Sequence, residues 1–145
     1  MFKHILVPTD GSELSVRAAT TAIDLARTCG ARILALHVVP PFHTISYMAE
    51  MLAATELAYT QESVARAERF LAEIRDLAAK AGVPCDSRYL LDEQPHKVIA
   101  RVAGENHCDL VVMGSHGWRG LNRLLLGSET QKVLLAAECP VLVCH

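Results

Sequence analysis

The sequence predicts an α/β protein: an open parallel sheet of five strands with helices on both faces. Three observations carry this. Five short apolar runs, at 5–8, 32–39, 87–91, 109–113 and 141–144, alternate with four stretches of helical periodicity along the whole chain. Such alternation builds parallel strands joined by crossover helices. The second run, Arg32-Ile33-Leu34-Ala35-Leu36-His37-Val38-Val39, is apolar at consecutive positions rather than alternate ones. A strand covered on both faces reads that way. Finally, the fourth run opens directly into a glycine-rich loop, at the end of a strand where such sheets bind ligands.

Each element has its own punctuation. Ile5 to Pro8 is the first strand, and Thr9-Asp10-Gly11-Ser12 is the turn after it. Asp10 with Glu13 three residues on predicts a capping box for the first helix. That helix carries Val16, Ala19, Ala22, Ile23 and Ala26 on one stripe and ends at Cys29, with Gly30 as its left-handed cap. Pro40-Pro41 ends the second strand, and 42–48 is expected to be irregular. A long helix follows over about 50–81, clearest where Ala67, Phe70, Leu71, Ile74, Leu77 and Ala78 recur at helical spacing. Gly82 and Pro84 close it. Pro95 suits the first turn of the next helix, which ends near Gly104. Ser128 with Gln131 predicts a second capping box, for the last helix.

Length and composition narrow the function. A chain of 145 residues is one domain, spanning 1–145, and is long enough for a real core. A formal net charge of -2 leaves no basic excess for nucleic acid. No apolar run reaches the roughly 18 residues of a membrane span, and the first residues read as a strand rather than an export signal. The five cysteines, Cys29, Cys85, Cys108, Cys139 and Cys144, contain no Cys-x-x-Cys. They are expected to be reduced thiols of a cytoplasmic protein. His107-Cys108 and Cys144-His145 do not read as metal ligands, because neighbours on a strand point to opposite faces.

The loop carries the chemistry. Four of the eight glycines fall in Gly114–Ser128: Gly114, Gly117, Gly120 and Gly127. Glycines admit positive φ and close backbone approach. Convergent backbone N–H groups and the following helix start then make an anion site. Two residues separate Gly114 from Gly117, nine separate Gly117 from Gly127, and Ser128 follows. This is neither a Walker A loop nor the Gly-x-Gly-x-x-Gly of dinucleotide sites. Asp10 reads as a helix cap and, at the carboxyl end of a strand, also as a ligand contact. Val38 alone reads as a core valine. Arg119 and Arg123 are either charges for the site or solvated. His116 is more simply a surface histidine. Trp118, the only tryptophan, either covers a ligand or packs under the loop.

The pattern Gly-x2-Gly-x9-Gly-Ser resembles the ATP-binding branch of the universal stress protein family. So do Pro8-Thr9-Asp10-Gly11-Ser12 near the start and Cys139-Pro140-Val141-Leu142-Val143 at the end, so the resemblance spans nearly the whole chain. It implies strand order 3-2-1-4-5, with the first and fourth strands adjacent. It implies ATP or another adenine nucleotide as ligand, with Mg²⁺ or Mn²⁺ as a companion ion. The implied binding set is Pro8, Thr9, Asp10, Val38, Met113, Gly114, Gly117, Gly127, Ser128, Glu129 and Thr130. Asp10 would lie by the adenosine and the Val38 backbone by the adenine. Gly117, Gly127, Ser128 and Thr130 would lie on the phosphate side. Glu129 departs from the family's pattern, which has a small or β-branched apolar residue there. A carboxylate in a first helical turn suits the helix dipole but opposes a phosphate at the same terminus.

A homodimer is expected through 141–144, an apolar last strand placed to be a sheet edge. The resemblance implies the same; the alternative is an edge covered by 42–48. Three function classes follow: an ATP-binding regulatory module read by an unidentified protein partner, a slow ATP hydrolase or adenylyl-transfer enzyme, and a dimerising scaffold without nucleotide. No Walker lysine, His-x-Gly-His or Ser-Gly-Gly-x-Asp-Ser occurs in the chain, and no catalytic set can be assigned. The regulatory module is therefore the leading reading, with slow hydrolysis as the most chemistry it allows.

Overall fold

The computed structural model describes residues 1–42, 49–118 and 125–145. Its elements run β1 (His4–Pro8), α1 (Glu13–Cys29), β2 (Arg32–Val39), α2 (Ala49–Lys80), β3 (Cys85–Leu91), α3 (Pro95–Glu105), β4 (Leu110–Gly114), α4 (Ser128–Ala136) and β5 (Val141–Cys144). The five strands form one parallel sheet in the order β3-β2-β1-β4-β5. The fold class and strand order are those expected. The irregular stretch expected at 42–48 falls outside the described residues beyond Phe42.

Side-chain alternation along the strands sorts the core into two layers. Ile5, Val7, Ile33, Ala35, Leu110 and Val112 face α1 and α2, meeting Ala19, Ile23, Leu71 and Ile74. Leu6, Leu34, Leu36, Val111 and Met113 face α3 and α4, meeting Val98, Ile99, Val102 and Val133. A strand buried on both sides cannot afford polar positions, which is why β2 reads as a continuous apolar run. The thiols follow the same logic. Cys108 is buried, and burial pushes its pKa up to about 11, with Cys139 and Asp109 nearby adding to the effect. All five cysteines are free.

Two helix starts differ from expectation. The cap of α1 is Ser12, whose Oγ accepts from Ser15 N at 3.3 Å; Asp10 and Glu13 form no capping box. Asp10 Oδ1 instead accepts from Ser12 N at 2.9 Å, closing a turn ahead of the helix. Gly11 between them sits at φ +79, so the chain turns once more before becoming helical. The left-handed φ favours glycine, and a Cβ there would also strike the Phe70 ring. For α4 the cap is Gly127, with no side-chain cap bond, and Ser128 is already helical. Gln131 N bonds to Gly127 O, and its side chain donates to Leu126 O. The Ser128–Gln131 box is therefore not formed. Gly127 is pinned by packing on His116 and by its N–H to Ser115 O at 2.7 Å, which sets the helix start one residue early.

Candidate functional site

β1 pairs β2 on one side and β4 on the other, so the winding reverses between β1 and β4. A cleft of about 560 Å³ opens there at the carboxyl ends of the strands, within the size range of small-molecule sites. All of the expected positions line it: Pro8, Thr9 and Asp10 after β1, Val38 at the end of β2, Met113 and Gly114 at the end of β4, Gly117 in the loop, and Gly127, Ser128, Glu129 and Thr130 at the start of α4. Leu36, His37, Pro40, Pro95, Ile99, His116 and Trp118 line it as well. Taken together the lining is more apolar than polar. Arg119, Gly120 and Arg123 lie outside the described residues.

Backbone and hydroxyl bonds hold the rim. Gly11 N donates to Thr9 Oγ1 at 3.1 Å. The Ser15 hydroxyl donates to Ser12 O at 2.8 Å. Its lone pairs are then left to accept from Thr9 Oγ1 at 3.0 Å. Thr130 Oγ1 donates to Gly114 O at 2.9 Å, tying the first turn of α4 to the end of β4. The His37 ring nitrogen Nδ1 lies 2.7 Å from Thr9 O, and the ring meets Phe70 edge-on. A carbonyl can only accept, so Nδ1 carries the proton. His37 was not singled out in the sequence, since nothing in the chain order shows that the end of β2 faces Thr9.

Asp10 joins the two halves of the site. Its Oδ1 closes the Ser12 turn, and its Oδ2 accepts from Trp118 N at 3.3 Å. Trp118 Nε1 donates to the Asp10 carbonyl at 2.6 Å. The indole is thus clamped over the β1 turn while 68% of the residue stays exposed at the cleft rim. Asp10 acts as neither a helix cap nor an unengaged carboxylate.

Of the two reasons expected for the loop glycines, positive φ is not met at Gly114, Gly117 or Gly127. Among the described residues the positive-φ glycines are Gly11, Gly30 and Gly82, none of them in the loop. Gly117 is required by contact instead: a Cβ there would fall on Asp10 Oδ2.

Glu129 points to α3. Its Oε2 accepts from His96 N at 3.1 Å and lies 3.3 Å from His96 Nδ1; its Oε1 lies 3.4 Å from Lys132 Nζ. Gln94, at the start of α3, makes no side-chain cap bond. A residue of α4 therefore supplies the cap of α3. No spacing rule links positions 96 and 129, so this pair has no signature in the sequence.

A sequence model of the Universal stress protein family matches residues 1–145. The Thermus aquaticus protein named "Universal stress protein in QAH/OAS sulfhydrylase 3'region" is 38% identical over 143 residues, spanning 99% of this chain and 98% of its own. The solved structure of hypothetical protein MJ0577 superposes with a TM-score of 0.83 at 26% identity, over 99% of this chain and 96% of the other. A universal stress protein in complex with cAMP superposes with a TM-score of 0.73 at 25% identity, over 99% and 97%. With the family pattern matched from the first residue to the last, this chain belongs to the universal stress protein family.

Proposed function

We propose that the chain is one nucleotide-binding domain over 1–145, a cytoplasmic regulatory module that holds an adenine nucleotide, ATP included, in the β1–β4 cleft. The observation that carries this is convergence: residues from the ends of β1, β2 and β4 and from the start of α4 line a single cleft. Its apolar side, with Leu36, Val38, Pro40 and Ile99, suits a purine. Its other side, with Gly117 in the loop and Ser128 at the start of α4, offers backbone donors to phosphate. The related protein crystallised with cAMP supports the ligand class. The free thiols support a reducing compartment. Among the described residues no helix is long and apolar enough to cross a membrane.

Among the described residues no group of three or more His, Cys, Asp or Glu is placed to hold a metal. Both Asp10 carboxylate oxygens accept backbone N–H groups. A divalent ion would be carried on the phosphate oxygens of its nucleotide, the strongest oxygen donors the complex supplies. Fast phosphoryl transfer needs a positioned cation, a held metal and an oriented nucleophile. Lys132, the lysine nearest in sequence to the loop, is turned to Glu129. The bound nucleotide then acts as a signal, biasing states that bind it differently, with a homodimer and an unidentified protein as the readers.

Calorimetry with magnesium-ATP should give micromolar-range binding, on the order of -8 kcal/mol. Trp118 fluorescence should change in parallel, and the nucleotide recovered after an hour should still be ATP. An absence of heat up to millimolar nucleotide would refute the reading. Turnover near the enzyme median of about 10 per second would replace it with the hydrolase.

A further inference from the structure

Two helices of this protein start at the cleft. α3 begins at Pro95 and α4 at Ser128, and both first turns line it. Each start presents unpaired N–H groups and the positive end of a helix dipole. The two are not equally open to an anion. At α3, the His96 N–H already donates to Glu129 Oε2 at 3.1 Å. The carboxylate that fills this position comes from the first turn of α4 itself. One fixed negative charge therefore stands between the two helix starts, on the wall that also carries Ser128 and Thr130.

The carboxylate is held rather than free. His96 engages Oε2 through backbone and ring, and Lys132 lies 3.4 Å from Oε1. The Lys132 bridge spans i and i+3, with the two side chains 52% and 42% exposed. Exposed pairs of that kind are weak and easily parted. The His96 side chain is 18% exposed, so the α3 end of the arrangement is the sheltered one.

We propose that Glu129 makes this cleft select nucleotides by charge. Adenosine binds without hindrance and AMP against a smaller opposition, while metal-free ATP is opposed most and enters as its divalent-metal complex. This rests on the nucleotide reading above and names the residue that sets specificity within it. Like charges at short range in a partly desolvated cleft repel strongly enough to rank ligands, whereas a neutral nucleoside does not feel the charge. The metal complex of ATP carries two fewer negative charges at the same phosphates.

The test is calorimetry at pH 7.5 and one fixed low ionic strength. Adenosine, AMP, metal-free ATP and magnesium-ATP are titrated into wild type and Glu129→Gln. Glutamine keeps an oxygen to accept from His96 N and removes only the charge. Metal-free ATP should tighten by roughly five-fold or more in the variant, AMP by less, and adenosine by under about two-fold. The gap between metal-free and magnesium-ATP should narrow. Glu129→Ala, which favours helix and has no acceptor, carries the same comparison should the glutamine variant be unstable. If adenosine and metal-free ATP keep the same affinity ratio in wild type and both variants, the proposal is overturned while nucleotide binding stands. If none of the four ligands binds wild type or variant, the nucleotide reading falls and takes this one with it.

Discussion

A Cβ on Gly117 would fall on Asp10 Oδ2, and the next residue, Trp118, donates its N–H to that same oxygen at 3.3 Å. The glycine and the aspartate thus specify each other across 107 positions of sequence. Spacing marked Gly117 as special but not why, because the partner is brought to it only by the pairing of β1 with β4. Gly117→Val should push the loop off the β1 turn. The cost is the Trp118–Asp10 bonds, about 1–3 kcal/mol in total, since one of them is to a charged group. A urea titration would show that loss with the slope unchanged, and calorimetry should show nucleotide affinity falling at least ten-fold. Unaltered stability and affinity would mean that the Asp10–loop contact holds nothing in place. Glu129 is the opposite case. A carboxylate in the first turn of α4 was visible in the sequence, but its partner, the start of α3, was not.

At the scale of elements, periodicity located every strand and helix, and the errors are at the ends. β3 starts at Cys85 rather than Ser87, and β4 runs Leu110–Gly114 rather than from Asp109. Strand ends depend on partners, and partners are tertiary. Both expected capping boxes fail at the helix starts: Asp10 Oδ1 is taken by Ser12 N two residues on, and the cap of α4 falls on Gly127 rather than Ser128. Asp109 shows the same principle at work between elements. Its carboxylate accepts from Lys3 N at 2.9 Å and from His4 N at 3.1 Å, fastening the amino end of β1 to that of β4. Burial pushes its pKa up, but the His4 and Lys3 N–H donors outweigh burial and hold it below the ordinary carboxylate value. A pKa lowered by folding contributes stability above the unfolded value, near 3.9. That contribution is lost as pH falls through the lower folded value. Asp109→Asn should cost about 1 kcal/mol at pH 7, modest because the group is only partly buried. Thermal melts between pH 7 and pH 3 should show wild type losing its advantage over the variant in the acid range. Parallel curves down to pH 3 would refute the assignment.

For the whole molecule, the question is what meets β5. Among the described residues β5 pairs only with β4, so its outer edge presents unpaired backbone groups. Leu142 on that strand is 38% exposed, and Leu134 and Leu135 on the adjoining helix α4 are 41% and 90% exposed. An apolar edge of this kind invites a second copy around a twofold axis. Four residues of strand are too few to make a stable interface alone, which needs roughly 1,200 Å² or more in total. A dimer built here would need the exposed α4 leucines as its apolar centre. Leu142→Lys is the probe of choice on this strand, because Leu142 is among the exposed apolar side chains whereas Val143 is only partly exposed. Sedimentation velocity at about 30 µM, within the range where interfaces of standard size assemble, should give a dimer for wild type. It should give a folded monomer for Leu142→Lys, with Leu135→Lys weakening the dimer as well. Wild type sedimenting as a monomer would refute a β5 dimer. A dimer that survives both lysines would place the interface on another face. If the dimer is the nucleotide's reader, saturating magnesium-ATP should shift its dissociation constant, because the first turn of α4 lines the cleft and the exposed Leu134 and Leu135 lie on that same helix.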